Sequence, residues 1–314
     1  MLTYALRRVL FSIPVILIAS FLLFWGVRET FDPTARLAAS RDPAVRIRER
    51  ERLGLDQSIF VQYKEWLSGA VRGDFGQSSA SRDDVSTMIS HAMGNTLQLI
   101  IIGAGVSAAI AIGVGVFSAV RQYSKMDYLI TGLSYIGIAM PPFWFGLLLI
   151  EFFAVQHRWF LSVGLHTGDS SGFDWDYIRH LALPIATLCV QIVASWSRYQ
   201  RASMLDAMGA DYVRTARAKG VPRRKVVFKH ALRNSLIPFV TVVALDFGAL
   251  FGGLIITENI FAIGGMGRLF YNALHVGDVY VVEAWMIVVA VLIIFFNLLA
   301  DLLYGVLDPR IRLA

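Results

Sequence analysis

Residues 97–120 read LQLIIIGAGVSAAIAIGVGVFSAV, a mostly apolar run, rich in Gly and Ala, with no charged side chain. A helix needs roughly 20 such residues to cross the hydrocarbon core of a bilayer, and this run supplies them. Five further segments qualify on either side of it: 9–27, 128–155, 181–197, 236–256 and 283–307. Arg7 and Arg8 precede the first, and no small-x-small cleavage site follows it. It is therefore expected to be an uncleaved anchor and not a signal peptide. The third carries Pro141 and Pro142 in its middle. Adjacent prolines remove backbone donors and clash with the preceding turn, so a kink is expected there.

Composition supports a membrane-embedded chain. Apolar residues make up 56% and charged residues 17% of the sequence, and the mean hydropathy is +0.58. A soluble chain of 314 residues would need far more polar surface to cover its core. The fold class expected is an all-α polytopic membrane protein with six transmembrane helices. The net charge of +6 falls mostly in short segments beside the apolar runs, which points to orientation in a membrane and not to nucleic acid. Cys189 is the single cysteine, so no disulfide within the chain and no CxxC site exist; a packed apolar thiol is expected.

Orientation follows from Lys and Arg in the short connections. With the N-terminus inside, the cytoplasmic segments hold Arg7, Arg8, Arg121, Lys125, Arg310, Arg312 and a basic loop from Arg198 to Arg233. The short outer loops hold Arg158, Arg179 and Arg268. Segment 28–96 has ten Lys or Arg and ten Asp or Glu, and it is too long for the charge rule to govern. Both termini are thus expected inside. The organisation expected is an anchor helix over 1–27, an extracytoplasmic cap over 28–96, a membrane core over 97–307 with a cytoplasmic loop 198–235, and a cytoplasmic tail over 308–314. Within the cap, Ile59, Tyr63, Trp66, Leu67 and Ala70 fall on one helical face; Val85, Met88, Ile89 and Ala92 repeat the pattern. These helices either pack as a cap on the outer surface or rest on lipid headgroups.

The loop between the fourth and fifth spans reads Asp211-Tyr212-Val213-Arg214-Thr215-Ala216-Arg217-Ala218-Lys219-Gly220, then Val221-Pro222-Arg223-Arg224-Lys225. Asp211 suits an N-cap, Gly220 a helix stop and Pro222 the first turn of a second short helix. Small residues at Ala216 and Ala218 would let the helix enter a partner's groove, with Arg217, Lys219 and Arg224 fixing its register. Attraction to anionic lipid explains the same charges equally well from the residues alone.

This stretch resembles the EAA loop of the permease subunits of bacterial binding-protein-dependent ABC importers. It is most similar to the dipeptide/oligopeptide permease family, and His230-Ala231-Leu232-Arg233-Asn234 and Pro238 continue the likeness. Arg214 stands where the general motif has Glu, and the spacing from Gly220 to Pro238 is longer than in sugar-type permeases; both are typical of the peptide branch. The likeness extends to 53–57, 62–67 and 73–78, to Pro141-Pro142-Phe143-Trp144-Phe145-Gly146, to Glu258-Asn259-Ile260-Phe261 with Gly265-Met266-Gly267, and to 297–301 and 308–312. It implies a type I importer permease fold, the first permease subunit, in a bacterial plasma membrane. It implies a coupling helix through Tyr212, Arg214, Thr215, Ala216, Arg217, Lys219 and Gly220. Implied partners are a homologous second permease, two P-loop ATPase subunits carrying ATP and Mg, and an external solute-binding protein or lipoprotein. Gly264 in place of proline, and Gly277 to Tyr280 in place of Arg-Asp-Tyr-Pro, depart from the family in the loop where that external protein would dock.

Polar groups inside the membrane are costly and rarely idle. Glu151, Gln191, Asp246, Asn297 and Asp301 qualify by position, and Asn297 and Asp301 share a helix face. They are expected to bridge helices or satisfy backbone at a subunit seam, with a place in the solute path as the alternative. No GxxxxGK[ST], HExxH or Gly-x-Ser-x-Gly stretch occurs, so neither a cofactor of its own nor a catalytic set is expected. His157, His166, His180 and His275 lack ligand spacing, and no metal site is expected. Two rival classes remain: a secondary transporter driven through Glu151, Asp246 or Asp301, and a membrane-embedded enzyme. Within the family, the resemblance implies dipeptides or oligopeptides as the solute, with nickel, glutathione or an oligosaccharide as the alternative.

Overall fold

Apolar runs separated by Gly, Pro and charged turns dictate helices joined by short breaks, and the computed structural model is built that way. It describes residues 2–32, 34, 43–52, 54–168 and 172–307, so the tail with Arg310 and Arg312 lies outside the described residues. In chain order the helices are α1 (Leu2–Thr30), α2 (Pro43–Arg52), α3 (Ile59–Val71), α4 (Val85–Val120), α5 (Lys125–Ala139) and α6 (Pro142–Leu149), which runs into π-helical turns over Ile150–Gln156. Then come α7 (Trp175–Gly209), α8 (Asp211–Ala218), α9 (Arg223–Lys225) with π-helical turns over Val226–Ala231, α10 (Leu232–Gly253), α11 (Ile255–Ile260), α12 (Met266–Val276) and α13 (Val279–Leu307). Among the described residues no strand forms beyond a single bridge between Gln77 and Asp84.

Among the described residues, five helical stretches are long and apolar enough to cross a membrane: Val9–Thr30, Val85–Val120, Trp175–Gly209, Arg223–Gly252 and Val279–Leu303. The expected third span differs from its reading. Instead of kinking, it breaks at Met140–Pro141, and its two halves meet at 101°. It makes a sixth span only if both halves are counted together. Pro142 opens α6, where a missing amide costs nothing. The Met140 carbonyl exposed by the break accepts a hydrogen bond from Gln191 Nε2 at 3.2 Å. Gly146 is buried where α6 packs against Thr187 and Phe261.

Helix bounds also run past the apolar runs. The 36 residues of α4 give about 54 Å, well beyond a ~30 Å hydrocarbon core. The helix therefore continues without a break from the expected cap into the expected core. Its first turn is capped by Asp84, which accepts from the Thr87 amide at 2.8 Å. Val85, Ile89 and Ala92 are buried, so the amphipathic face read from the sequence faces the protein. The face of α3 meets α1: Tyr63 packs edge-on and Trp66 tilted against Phe24, and the Tyr63 hydroxyl lies 2.6 Å from Ser20 Oγ. α4 and α7 pack along each other at the centre, with α10 beside them and α13 joining α10 to α1.

Candidate coupling site

Helix α8 is eight residues long and carries three charged side chains, so it cannot hold itself together in water. Its local structure comes from its ends and one buried edge. Val213 and Ala216, three residues apart, are buried in an apolar cluster with Val116 and Ala119 of α4, Met204 and Ala207 of α7, and Val226, Val227 and Ala231. Tyr212, Arg214, Thr215, Arg217, Ala218 and Lys219 remain exposed. Ala216 thus anchors the helix to its own chain, while Ala218 alone keeps the small outward surface expected of both.

The stop is a Schellman motif. Gly220 adopts a left-handed φ of 73°, its amide donates to Arg217 O at 3.0 Å, and the Val221 amide donates to Ala216 O at 3.2 Å. At the other end the N-cap is Ala210 instead of Asp211; Asp211 is the first helical residue and pairs with Arg214 at 3.4 Å on the surface. Pro222 caps a helix that is not short. It opens α9, which continues through π-helical turns into the long α10. The exposed face of α8 is therefore bolted to the starts or ends of three long helices.

The polar residues singled out within the spans separate into groups. Trp196 Nε1 donates to Asp246 Oδ2 at 2.6 Å, joining α7 to α10, and Gln191 joins α7 to the break before α6. Glu151 is exposed and accepts from Gln156 Nε2 at 3.1 Å, within its own turn. Asn297 is exposed on α13 and Asp301 is half-buried one turn on. The structure does not bring these five residues together.

Three charged joints were not singled out by the sequence reading. At the end bearing α8, Asp127 receives two hydrogen bonds from Arg201, both at 2.9 Å, and one each from Ser118 Oγ and the Tyr123 amide. That knot ties α4, α5 and α7. At the opposite end, Arg28 of α1 meets the fully buried Glu283 of α13 at 2.6 Å, and Glu258 accepts from Thr96 Oγ1 at 2.5 Å and from the Arg268 amide at 3.0 Å. Burial pushes the Glu258 carboxyl above the usual carboxylate range, against the lowering effect of those hydrogen bonds. A Cβ on Gly265 would lie 2.3 Å from Glu258 Oε1, and one on Gly267 would lie 2.4 Å from the Ile255 Cα, which explains the Gly265-Met266-Gly267 run. The two departures from the family pattern also sit in internal contacts. Gly264 O accepts from Asn95 Nδ2 at 2.9 Å, and Asp278 accepts from Ser78 Oγ at 2.5 Å and the Ser79 amide at 3.1 Å.

Two of the histidines that lack ligand spacing gain carboxylate neighbours: His180 Nε2 lies 3.6 Å from Asp176 Oδ2, and His166 comes within 4.8 Å of Asp174 and Asp176. Both acids are already engaged. Asp174 caps α7 through the Tyr177 amide at 2.8 Å, and Asp176 accepts from the Thr167 amide at 2.7 Å. The group staples the loop onto α7.

Residues 111–313 match the model of the binding-protein-dependent transport system inner membrane component, and residues 1–100 match the model of its N-terminal region. The chain belongs to that family. It is a multi-pass permease subunit of an ABC importer in the plasma membrane, a transport component and not an enzyme. Membership implies ATPase and solute-binding partners. Among its relatives, the oligopeptide transport system permease protein AppB of Bacillus subtilis is 40% identical over 99% of this chain and 100% of its own length. The glutathione transport system permease protein GsiC of Escherichia coli K12 is 37% identical, with 99% of both chains covered. Among solved structures, an inward-facing MetNI methionine ABC transporter chain superposes with a TM-score of 0.57. It covers 70% of this permease and 96% of that chain at 17% identity. That likeness concerns the fold alone.

Proposed function

We propose that this permease pairs with a homologous second permease to form a pathway for dipeptides or oligopeptides. An external solute-binding protein or lipoprotein delivers the peptide, and two P-loop ATPase subunits beneath supply ATP and Mg. The chain crosses the membrane six times, with the broken α5–α6 pair as the third crossing and both termini in the cytoplasm. This orientation rests on the concentration of Lys and Arg around Arg121, Lys125 and the 198–235 loop.

The observation that carries the reading is α8, an exposed basic helix whose buried edge touches α4, α7 and the start of α10. ATP-driven closure of the ATPase pair moves α8 through Tyr212, Arg214, Thr215, Arg217 and Lys219. Val213 and Ala216 transmit the shift, and the pathway changes from inward-facing to outward-facing. Such coupling requires a two-state element biased from both ends, and the rigidly stopped α8 supplies the link. Gln191 and Asp246 keep α7 in register with its neighbours during that motion, while Asn297 and Asp301 present polar groups at the seam with the second permease.

Similarity to AppB supports a peptide as the solute. Similarity to GsiC favours glutathione, itself a tripeptide, as a second reading. Uptake of labelled peptides of two to five residues into cells lacking other peptide importers separates the two. Saturable uptake that unlabelled peptides suppress and glutathione does not is the expected result. Suppression by glutathione alone assigns the second reading, and uptake insensitive to either refutes both.

A further inference from the structure

A cavity of about 560 Å³ opens between the C-terminal turns of α4 and the α9–α10 junction. Its walls are apolar and include Ile112, Val116, Phe117, Val227, Phe228 and Leu232. Its rim is not: Arg121, Arg223 and Arg224 line it as well. None of these three arginines is paired with a carboxylate among the described residues. Arg121 lies over the Phe117 ring at 4.7 Å, at the boundary between wall and rim.

The position of the groove along the spans decides what fits it. Arg121 is the first charged residue after the uncharged run 97–120, and Arg223 and Arg224 open the membrane-crossing stretch Arg223–Gly252. The uncharged run of α4 thus ends beside helical turns that still carry the exposed Lys225, Lys229 and Arg233, so the apolar slot meets a band of cations. The π-helical turns over Val226–Ala231 keep Val226, Val227 and Ala231 in the core and turn Phe228 outward, where it is 57% exposed. A ligand matching this layout needs a long apolar tail and an anionic head at the membrane surface. Basic pockets between membrane helices hold lipid headgroups by the same charge complementarity, and the volume suits one chain of such a molecule.

We propose that this groove binds one anionic diacyl phospholipid, of the phosphatidylglycerol type. One acyl chain lies along Val116, Phe117 and Leu232, and the phosphate sits among Arg121, Arg223 and Arg224. The lipid wedges the α4 end against the start of α10, beside the cluster that holds α8. This inference rests on the membrane placement of the chain and not on the coupling role of α8, so the two can fail separately.

Native mass spectrometry of the full chain, exchanged into micelles with equal phosphatidylglycerol and phosphatidylcholine, tests it. Retention of one phosphatidylglycerol with a preference of about tenfold or more is expected. The combined variant Arg121→Gln, Arg223→Gln, Arg224→Gln abolishes the preference. Gly113→Trp, at a position where an added Cβ meets nothing within 4 Å, fills the slot and lowers retention with the arginines intact. Arg214→Gln with Lys219→Gln, which removes two cations outside the groove, leaves retention unchanged. Equal retention of both lipids by the parent chain overturns the proposal. So does an undiminished preference in the triple variant, or an equal loss in the Arg214 and Lys219 variant. A triple variant that keeps its lipid and instead loses a copurifying ATPase assigns these arginines to protein docking.

Discussion

Replacing Gly220 with proline reduces ATP-driven uptake to background while the chain still accumulates in the membrane. Proline fixes φ near −65°, whereas Gly220 sits at 73°, and it removes the amide that donates to Arg217 O at 3.0 Å. It also disfavours the helical backbone of Lys219 just before it, which lies at φ −77° and ψ 6°. The stop of α8 is lost at a local cost of about 3 kcal/mol, enough to unravel an eight-residue helix. An added Cβ at Gly220 meets nothing within 4 Å, so the rest of the bundle is spared. Gly220→Asn is the matched control, because Asn tolerates the left-handed region at modest cost; most uptake survives. Immunoblots of membranes together with uptake rates read both outcomes. Normal uptake by the proline variant, at parental abundance, would remove α8 from the coupling path.

The second large effect lies in the joint that supports α8 from behind. Asp127→Ala leaves Arg201 without its carboxylate partner and releases the Tyr123 amide, which holds a residue at the left-handed φ of 64°. Breaking a buried ion pair from one side costs about 3–5 kcal/mol; the 28% exposure of Arg201 places this case near the lower figure. Unfolding of the purified chain by graded dodecyl sulfate in mixed micelles is expected to shift by that amount. The double variant Asp127→Leu, Arg201→Leu recovers most of the loss, since no charge is then left alone. A single variant as stable as the parent, or a double variant worse than either single, would show that the pair is not what ties α4, α5 and α7.

How much of this was legible follows from the range over which each signal acts. The α8 stop could be read directly, because Gly220 and Pro222 act on their own backbone. Its start was misplaced by one residue: Asp211 is a good capping residue, but Ala210 takes the extended conformation that a cap requires. The two prolines announced a disturbed helix, yet not its 101° angle. The Met140 carbonyl freed at the break is met by Gln191, a partner 51 residues along the chain. The same reason hid the Asp127–Arg201 pair, 74 residues apart, and the Arg28–Glu283 pair, 255 apart. The burial of Ala216 was missed because its small size suits either face of a helix; the buried Val213 three residues earlier was the available signal.

If α8 couples this permease to an ATP-hydrolysing partner, affinity purification of the tagged chain from mild detergent, with subunits identified and ATPase activity assayed, will show it. The expected result is recovery of a second permease and P-loop ATPases with measurable ATP hydrolysis, the ATPases and the hydrolysis being lost when 212–220 is deleted from a chain that still inserts. A stable chain recovered alone, whose uptake follows an imposed proton or sodium gradient and ignores ATP, would contradict it.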